Sequence, residues 1–429
     1  MRDAALVTDH RWGLAALSRR VVTADVALAR WVDATWARPA VLCVALALAL
    51  LAGAAVRLYP FVDDVTPERA LNDDWLVYKE RALSILRDGL AMRIEAGPHS
   101  PPRGFLYSYF IAGVFALFGE NSAYVYLVQA AMLGVGVGLM YLAFRPWLPP
   151  GAGALYLAVL TASSTVDVFW KYTVRLLSEN LALFWLAPFF FASLRVLTGP
   201  PVRWSAAAGA CLGLAALARP HLAILAPAMV AWVALATRPR RWRAALALLV
   251  PFGLLLSLMA VRDYVVTGRL DMGSITSTRG WTPPHAELGA SPTLRDLLGA
   301  AGAALGALAV RVLYCLGFLF VLGAKYPLMP HWILMWAGAG AFVGERVRRR
   351  QLEAWQALPL LQIVLSLLPP ILLSSVENYG VRMILPVVPA AWLLAVLWAA
   401  ERPLRAGGRV LAAPMRGSVG RAAMGRRGG

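Results

Sequence analysis

Two adjacent aspartates open a segment of the chain that has helical spacing. Asp73 and Asp74 precede an apolar pattern that runs to Leu90, and Tyr78 follows Asp74 by one helical turn. A helix start presents unsatisfied N–H groups and a partial positive charge, which together favour an ionised carboxylate at neutral pH. The pattern therefore predicts either a helix cap or a general base that takes a proton from a hydroxyl group.

These aspartates belong to an acidic segment, residues 60–104, which holds eight of the 23 acidic residues in the chain. Asp63 and Asp64 form a second candidate pair in the same segment. Nearly everything around the segment is apolar or basic, and charged residues make up only 15% of the sequence. Carboxylates in such surroundings indicate a site, where they would act as a base, bind a divalent cation or order the loop.

Cationic side chains recur at the ends of apolar stretches. Lys171 and Arg175 lie close to Glu179 in the sequence KYTVRLLSEN. This cluster predicts either simple interface anchors or a phosphate site in which Glu179 orients the cations or the acceptor.

Single arginines at other boundaries extend this pattern. Arg219 interrupts a long apolar stretch, where a charge must meet a cavity, a phosphate or the membrane interface. The following Pro220 allows a hairpin apex there. Arg262 ends one apolar span, and Arg382 begins another. Several arginines on one face suit a polyanionic lipid headgroup better than a cation.

Composition predicts the fold class. Hydrophobic residues make up 60% of the 429 residues, and the mean hydropathy is +0.64. Apolar runs of about 20 residues can cross a hydrocarbon core, and inside the bilayer they must be helical. We expect an all-α, polytopic transmembrane bundle of about 11 ± 1 spans. The expected spans are Ala40–Val56, Ala123–Phe144, Ala152–Phe169, Leu177–Val196, Ser205–Ala218, Leu222–Ala236, Ala244–Val261, Ala300–Gly323, Trp332–Val343, Trp355–Leu373 and Met383–Ala399.

The basic residues predict the orientation of these spans. Clusters of arginine follow the positive-inside pattern and allow contact with anionic membrane lipids, so the net charge of +18 does not indicate nucleic-acid binding. We expect a cytoplasmic N-terminal segment (residues 1–37), a transmembrane domain (38–400) and a basic, disordered tail (401–429). The acidic loop at 60–104, with juxtamembrane helices, and a second loop at 262–296 then share the outer face with residues 171–179 and 219–221.

Small residues inside the spans have structural interpretations. The three cysteines, Cys43, Cys211 and Cys315, each lie in an apolar run without metal spacing, which predicts buried small hydrophobic residues. Glycines at 134, 136 and 138 predict close packing between helices.

Six motifs carry a family resemblance through their order along the chain. They are the helix start from Asp74 to Tyr78, PPRGFLYSYFIAGVFALFGENS, LLSEN, GLAALARPHLAILAP, VRDYVVTGRL and ENYGVRMILPVVP. Together they resemble the GT-C glycosyltransferases, and most closely the branch with the protein O-mannosyltransferases and the lipid A aminoarabinose transferase. The chain departs from the family pattern at Asp263, where Asn is usual, and at Val381 before Arg382.

The resemblance implies a reaction and a location. Such enzymes transfer a hexosyl or pentosyl group from a polyprenyl-phosphate-linked donor to a lipid, glycan or protein acceptor, usually with inversion. The expected place is the periplasmic face of a bacterial inner membrane. Some relatives use a divalent cation at the acidic loop, so metal dependence is left open. A transporter or flippase of a lipid-linked sugar is the alternative, and it should show internal repeats.

The resemblance and the residue patterns together assign candidate roles. Asp74 matches the family's base, with Asp73 as its neighbour. The remaining candidates are a set of phosphate-binding cations (Arg262, Arg382, Lys171, Arg175 and Arg219) and a set of acceptor or supporting residues (Glu179, Tyr78, Tyr264 and His99).

Overall fold

The computed structural model describes residues 20–35, 38–58, 74–89, 105–149, 151–166, 178–237, 241–267, 330–373 and 385–406. Every regular element within these ranges is helical, which confirms the predicted all-α class. The expected span at 300–323, Cys315 and most of the acidic loop lie outside the described residues.

The helices follow the predicted apolar segments closely. A helical segment at residues 20–33 precedes them. The α-helices are α1 (Arg38–Leu58), α2 (Asp74–Asp88), α3 (Leu106–Phe118), α4 (Ser122–Phe144), α5 (Ala152–Val166), α6 (Glu179–Thr198), α7 (Pro201–Ala218), α8 (Leu225–Ala236), α9 (Arg241–Thr267), α10 (Pro330–Arg349), α11 (Ala354–Leu373) and α12 (Val388–Ala406). Five of them, α1, α4, α6, α7 and α9, are long and apolar enough to cross a membrane by length and composition. The total of about 11 spans stays a prediction.

Local sequence explains where several helices begin and end. Gly89 and Gly119 follow α2 and α3 with φ of +87° and +93°, a backbone region that favours glycine. Asn121 begins α4, because its side-chain oxygen accepts a hydrogen bond from the N–H of Ala123 at 2.9 Å. Gly89 therefore directly follows the end of α2.

Close helix contacts define the directions of the spans. Gly134 and Gly138 of α4 lie against Ala47 and Cys43 of α1, so the two helices are antiparallel. In α7, Gly209 lies against Leu248 of α9 and Gly213 lies against Leu255, so those two helices are parallel. Arg262, near the end of α9, lies over Phe105, and Tyr107 two residues further on bonds to Gln129 in the first half of α4. The helices α1, α7 and α9 therefore all end at the end of the bundle where α4 begins. We call this the site end.

The N-terminal segment docks at the opposite end of the bundle. Asp25 is buried and accepts hydrogen bonds from the N–H groups of Gly151 and Ala154, at 2.6 and 2.7 Å. It therefore caps the start of α5 from another part of the chain. Asp33 forms an ion pair with Arg145 at the end of α4. Residues 20–33 are thus an integral part of this end of the fold.

Arginines gather at that opposite end, as positive-inside patterning predicts. They include Arg145 at the end of α4, and Arg346, Arg348, Arg349 and Arg350 at or just after the end of α10. Helix α12 continues to Ala406, beyond the predicted domain end at residue 400. Glu401, in this last part of the helix, forms an ion pair with Arg346.

Two short helices, α2 and α3, lie at the site end. The 13 residues of α3 extend about 20 Å, which is too short to cross a bilayer. In α2 the buried residues follow helical spacing and include Tyr78, Ala82 and Ile85. Leu86 is 40% exposed although it belongs to the apolar pattern that runs to Leu90, and Arg81 is buried. The buried stripe of α2 is therefore more polar than its sequence suggests.

Close packing accounts for two of the three glycines in α4. A Cβ atom at Gly134 would lie 2.6 Å from backbone atoms of Ala47, and one at Gly138 would lie 2.7 Å from Cys43 Sγ. A Cβ at Gly136 would instead meet Ala187 Cβ at 3.9 Å, an ordinary contact. The predicted role of the glycines is confirmed at positions 134 and 138.

We predict that Gly134→Ala lowers the free energy of unfolding by about 1–3 kcal/mol, because the α1 backbone must move away. Gly136→Ala is the matched control in the same helix, and it should be neutral or slightly stabilising because alanine favours helix over glycine. Thermal unfolding of both variants in detergent micelles measures the difference. Equal melting temperatures for the two variants would contradict the packing explanation.

Candidate functional site

A chain of buried polar contacts connects α2 to the bundle at the site end. The Tyr78 hydroxyl donates a hydrogen bond to Ser178 Oγ at 3.1 Å. The Tyr78 ring meets the ring of Tyr107 edge to face, with centroids 4.9 Å apart. Tyr107 in turn donates to Gln129 Oε1 at 2.5 Å. These contacts join α2 to α3, α4 and the start of α6.

A buried ion pair lies directly beside these contacts. Glu179, the first residue of α6, is fully buried and pairs with Arg219, the residue that follows α7. The start of a helix favours a carboxylate and the end of a helix favours a cation. Both helix dipoles therefore stabilise the pair. The interruption predicted at Arg219 is present, since a 3-10 helix at Pro220–Ile224 separates α7 from α8.

His221 lies in the turn that follows Arg219. Burial, together with the charge of Arg219, lowers the pKa of His221 to about 3. The imidazole is therefore neutral at physiological pH, and Arg219 is the cation of this turn. His221 Nε2 is buried and has no hydrogen-bond partner within the part of the chain that the structure describes.

Arg262 reaches the same end of the bundle from α9. Its guanidinium lies over the ring of Phe105, 5.7 Å from the centroid, at the start of α3. Burial raises the pKa of the neighbouring Tyr109, and the charge of Arg262 acts in the opposite direction. Tyr264, two residues further along α9, has a side chain that is 55% exposed. The structure therefore brings Arg262, but not Tyr264, against the core of the site end.

Asp74 is the first residue of α2, one helical turn before Tyr78. Four residues correspond to about 6 Å along a helix axis, so the backbone of Asp74 lies close to the contacts of Tyr78. Five other candidates lie outside the described residues: Asp73, His99, Lys171, Arg175 and Arg382. Their assigned roles stay predictions.

The described residues include no group of three His, Cys, Asp or Glu side chains that could hold a metal ion. Most of the acidic loop is not among those residues, so metal dependence stays an open proposal. The loop would supply carboxylate oxygens, the ligands that hard divalent cations prefer.

A small cavity of about 30 Å³ lies between α4, α5, α6 and α12. Its lining is mainly apolar and includes Ser163 and Ser164. This volume has room for a water molecule but not for a sugar. The polar cluster at the site end is therefore the better candidate for chemistry.

Uncharged residues of the site were missed by sequence reasoning. Ser178, Tyr107 and Gln129 are all buried and form hydrogen bonds that hold α2 and α3 in place. Gln129 could have been predicted as a site residue, because a polar side chain within an apolar span needs a hydrogen-bond partner. Ser178 and Tyr107 carried none beyond their places next to Glu179 and within the PPRGFLYSY motif.

One family model matches part of the chain. The sequence model of the dolichyl-phosphate-mannose-protein mannosyltransferase family matches residues 100–262, a range that includes Glu179, Arg219 and Arg262. The predicted resemblance to GT-C membrane glycosyltransferases is therefore confirmed. No curated protein matches the chain.

One solved structure is similar at low sequence identity. It is the crystal structure of the Archaeoglobus fulgidus oligosaccharyltransferase in the apo form, with a TM-score of 0.46 and 13% identity. The similarity covers 88% of this chain and 52% of that protein, so this chain spans about half the length of that relative.

We predict that Glu179→Gln lowers the free energy of unfolding by about 3–5 kcal/mol, because Arg219 then lacks its buried counter-charge. The double variant Glu179→Gln/Arg219→Gln should lose less than the sum of the two single variants, as measured by unfolding in detergent.

The ion pair between Glu345 and Arg349 provides the control. It lies on one helix at the opposite end, at 2.7 Å and partly exposed. Glu345→Gln should change the free energy of unfolding by less than about 1 kcal/mol. If Glu179→Gln had an equally small effect, the ion pair would not hold the helix ends together.

Proposed function

We propose that this protein is an integral membrane glycosyltransferase that transfers a sugar from a polyprenyl-phosphate-linked donor to a hydroxyl group of a lipid, glycan or protein acceptor. One observation carries the proposal. The helix that begins at Asp74, the Glu179–Arg219 pair and Arg262 converge at one end of an otherwise apolar bundle. The family match supports the reaction class.

In the proposed reaction, Asp74 acts as the general base. Its carboxylate takes the proton of the acceptor hydroxyl as the hydroxyl oxygen attacks the anomeric carbon. The bond between that carbon and the phosphate oxygen breaks, and its electron pair leaves with the polyprenyl phosphate. In-line displacement of this kind inverts the anomeric centre and needs no second, nucleophilic carboxylate. Asp73 is the neighbouring carboxylate and the alternative candidate for the base.

Cationic residues offset the charge that develops on the leaving phosphate. Arg262 is the first candidate among the described residues, because its guanidinium lies over an aromatic ring at the start of α3. Arg382, Lys171 and Arg175 are further candidates from the sequence. Arg219 is a weaker candidate, since Glu179 already balances its charge.

The arginine distribution supports placing the site on the extracytoplasmic face. Arginines gather at the end of the bundle opposite to the site, and the positive-inside rule assigns such an end to the cytoplasm. The proposed environment is a bacterial plasma membrane, with the site on its periplasmic face.

We predict that Asp74→Asn abolishes sugar transfer while donor binding persists, because the amide cannot accept the acceptor's proton. The test offers radiolabelled polyprenyl-phosphate sugars to the purified protein in vesicles and measures loss of the donor and labelling of the acceptor.

Asp73→Asn is the matched control for this experiment. It should retain most of the transfer activity, and unchanged turnover in both variants would remove the base assignment. If the wild-type protein moves the labelled lipid across the bilayer without cleaving it, the protein is a flippase of lipid-linked sugars instead.

We predict that Arg262→Gln weakens donor binding by about 10- to 100-fold, which corresponds to the loss of one hydrogen bond to a charged group. The affinity for the acceptor should change little. Binding of the labelled donor to the detergent-solubilised protein measures the effect. Arg349→Gln, at the opposite end of the bundle, is the control. A donor affinity that Arg262→Gln leaves intact would exclude Arg262 from phosphate binding.

A further inference from the structure

The hydroxyl group of Ser178 forms a hydrogen bond to another helix and does not cap its own helix. Ser178 occupies the position before α6, where a serine side chain commonly accepts a hydrogen bond from the first turn. Here the backbone of Ser178 is helical (φ −67°, ψ −11°), and its side chain makes no capping hydrogen bond. Its Oγ atom instead accepts the hydroxyl of Tyr78 on α2, 100 residues earlier.

The Tyr78 ring has its own packing, which does not depend on that hydrogen bond. It is 3% exposed and lies edge to face against Tyr107. The aromatic contact keeps the side chain in the core, while the hydroxyl group links the first turns of α2 to Ser178. Removal of the hydroxyl alone should therefore change the position of α2 more than the stability of the fold.

We infer that the hydrogen bond between Tyr78 and Ser178 is a positioning contact for the reaction. It fixes the first turn of α2, and with it the backbone of Asp74, relative to the residue before Glu179 and the ion pair with Arg219. This inference rests on the proposed function. It makes Tyr78 and Ser178 positioning residues, which act through the placement of Asp74 and do not touch the substrate.

The arrangement of α2 explains why one hydrogen bond matters. The second half of α2 is held by the buried side chains of Ala82 and Ile85, and Ser84 donates to Asp88 at 2.9 Å within the helix. The first half carries the proposed base, and Tyr78 is its buried anchor. Catalytic groups are sensitive to small displacements, since misplacement by about 1 Å can lower a rate by about 100-fold.

The test compares Tyr78→Phe, Ser178→Ala and the double variant. Tyr78→Phe keeps the ring contact with Tyr107 and removes only the hydroxyl group. Each single variant should lower kcat by about tenfold or more, with the donor KM and the melting temperature nearly unchanged. The double variant should be no slower than the slower single variant, because both remove the same contact. Ser178→Thr, which keeps the hydroxyl, should restore most of the rate.

Three results would overturn the inference: unchanged kcat in the single variants, multiplicative losses in the double variant, or a loss of rate that follows the loss of folded protein. Hydrogen exchange of the α2 amides provides a readout that is independent of activity. Tyr78→Phe and Ser178→Ala should speed exchange at residues 75–81 to the same extent, and unchanged exchange would also overturn the inference. An inactive wild-type protein would remove the proposed function, while the exchange measurement would still decide whether this contact holds α2.

Discussion

The buried ion pair between Glu179 and Arg219 is the interaction on which the site end of this protein depends. Two charges in a largely apolar bundle are stable only together, because either one alone would carry a large desolvation cost. The pair lies where the start of α6 meets the end of α7, so both helix dipoles favour it. It therefore holds the start of α6 against the end of α7, at the same depth in the bundle. Ser178 directly precedes Glu179 and accepts a hydrogen bond from Tyr78, so α2 is positioned relative to the ion pair.

The same pair also decides which charges are available at the site end. Glu179 balances Arg219, and burial keeps His221 neutral beside it. Arg262 and the buried Arg81 of α2 are further cations of the described part of the site end. Cations near a helix that begins with an aspartate suit the proposed transfer of a group away from a phosphate, because they can offset the charge of the leaving group. In a transporter, charges of this kind would be expected in two corresponding halves of the chain.

Sequence reasoning predicted the helices well because a single strong constraint governs them. Apolar runs that cross a membrane must be helices, and α1, α4 and α9 lie where hydropathy placed them. It also placed Tyr78, Glu179, Arg219 and Arg262 at one end. Successive spans alternate in direction, so counting the spans assigns each loop to one side of the membrane. The partner of Arg219 could not be predicted, because hydropathy gives no information about which span ends touch. Asp25 was missed for a related reason: its partners are backbone N–H groups of Gly151 and Ala154, which have no signature in composition.

Helix α2, which carries the proposed base, lies outside the spans and is held differently from them. Spans such as α6 and α7 are held by extensive apolar packing and by the ion pair, so the cationic side of the site is rigid. In contrast, α2 is a short helix whose buried stripe includes polar residues. Directional contacts help to set its position relative to the rigid part, and among the described residues the hydroxyl of Tyr78 on Ser178 lies one helical turn from Asp74. Hydrogen bonds in surroundings of low dielectric constant are strong and have few competing partners. A non-spanning helix can thus present the proposed base with a defined geometry, while the membrane-spanning helices carry the cations proposed to bind the phosphate.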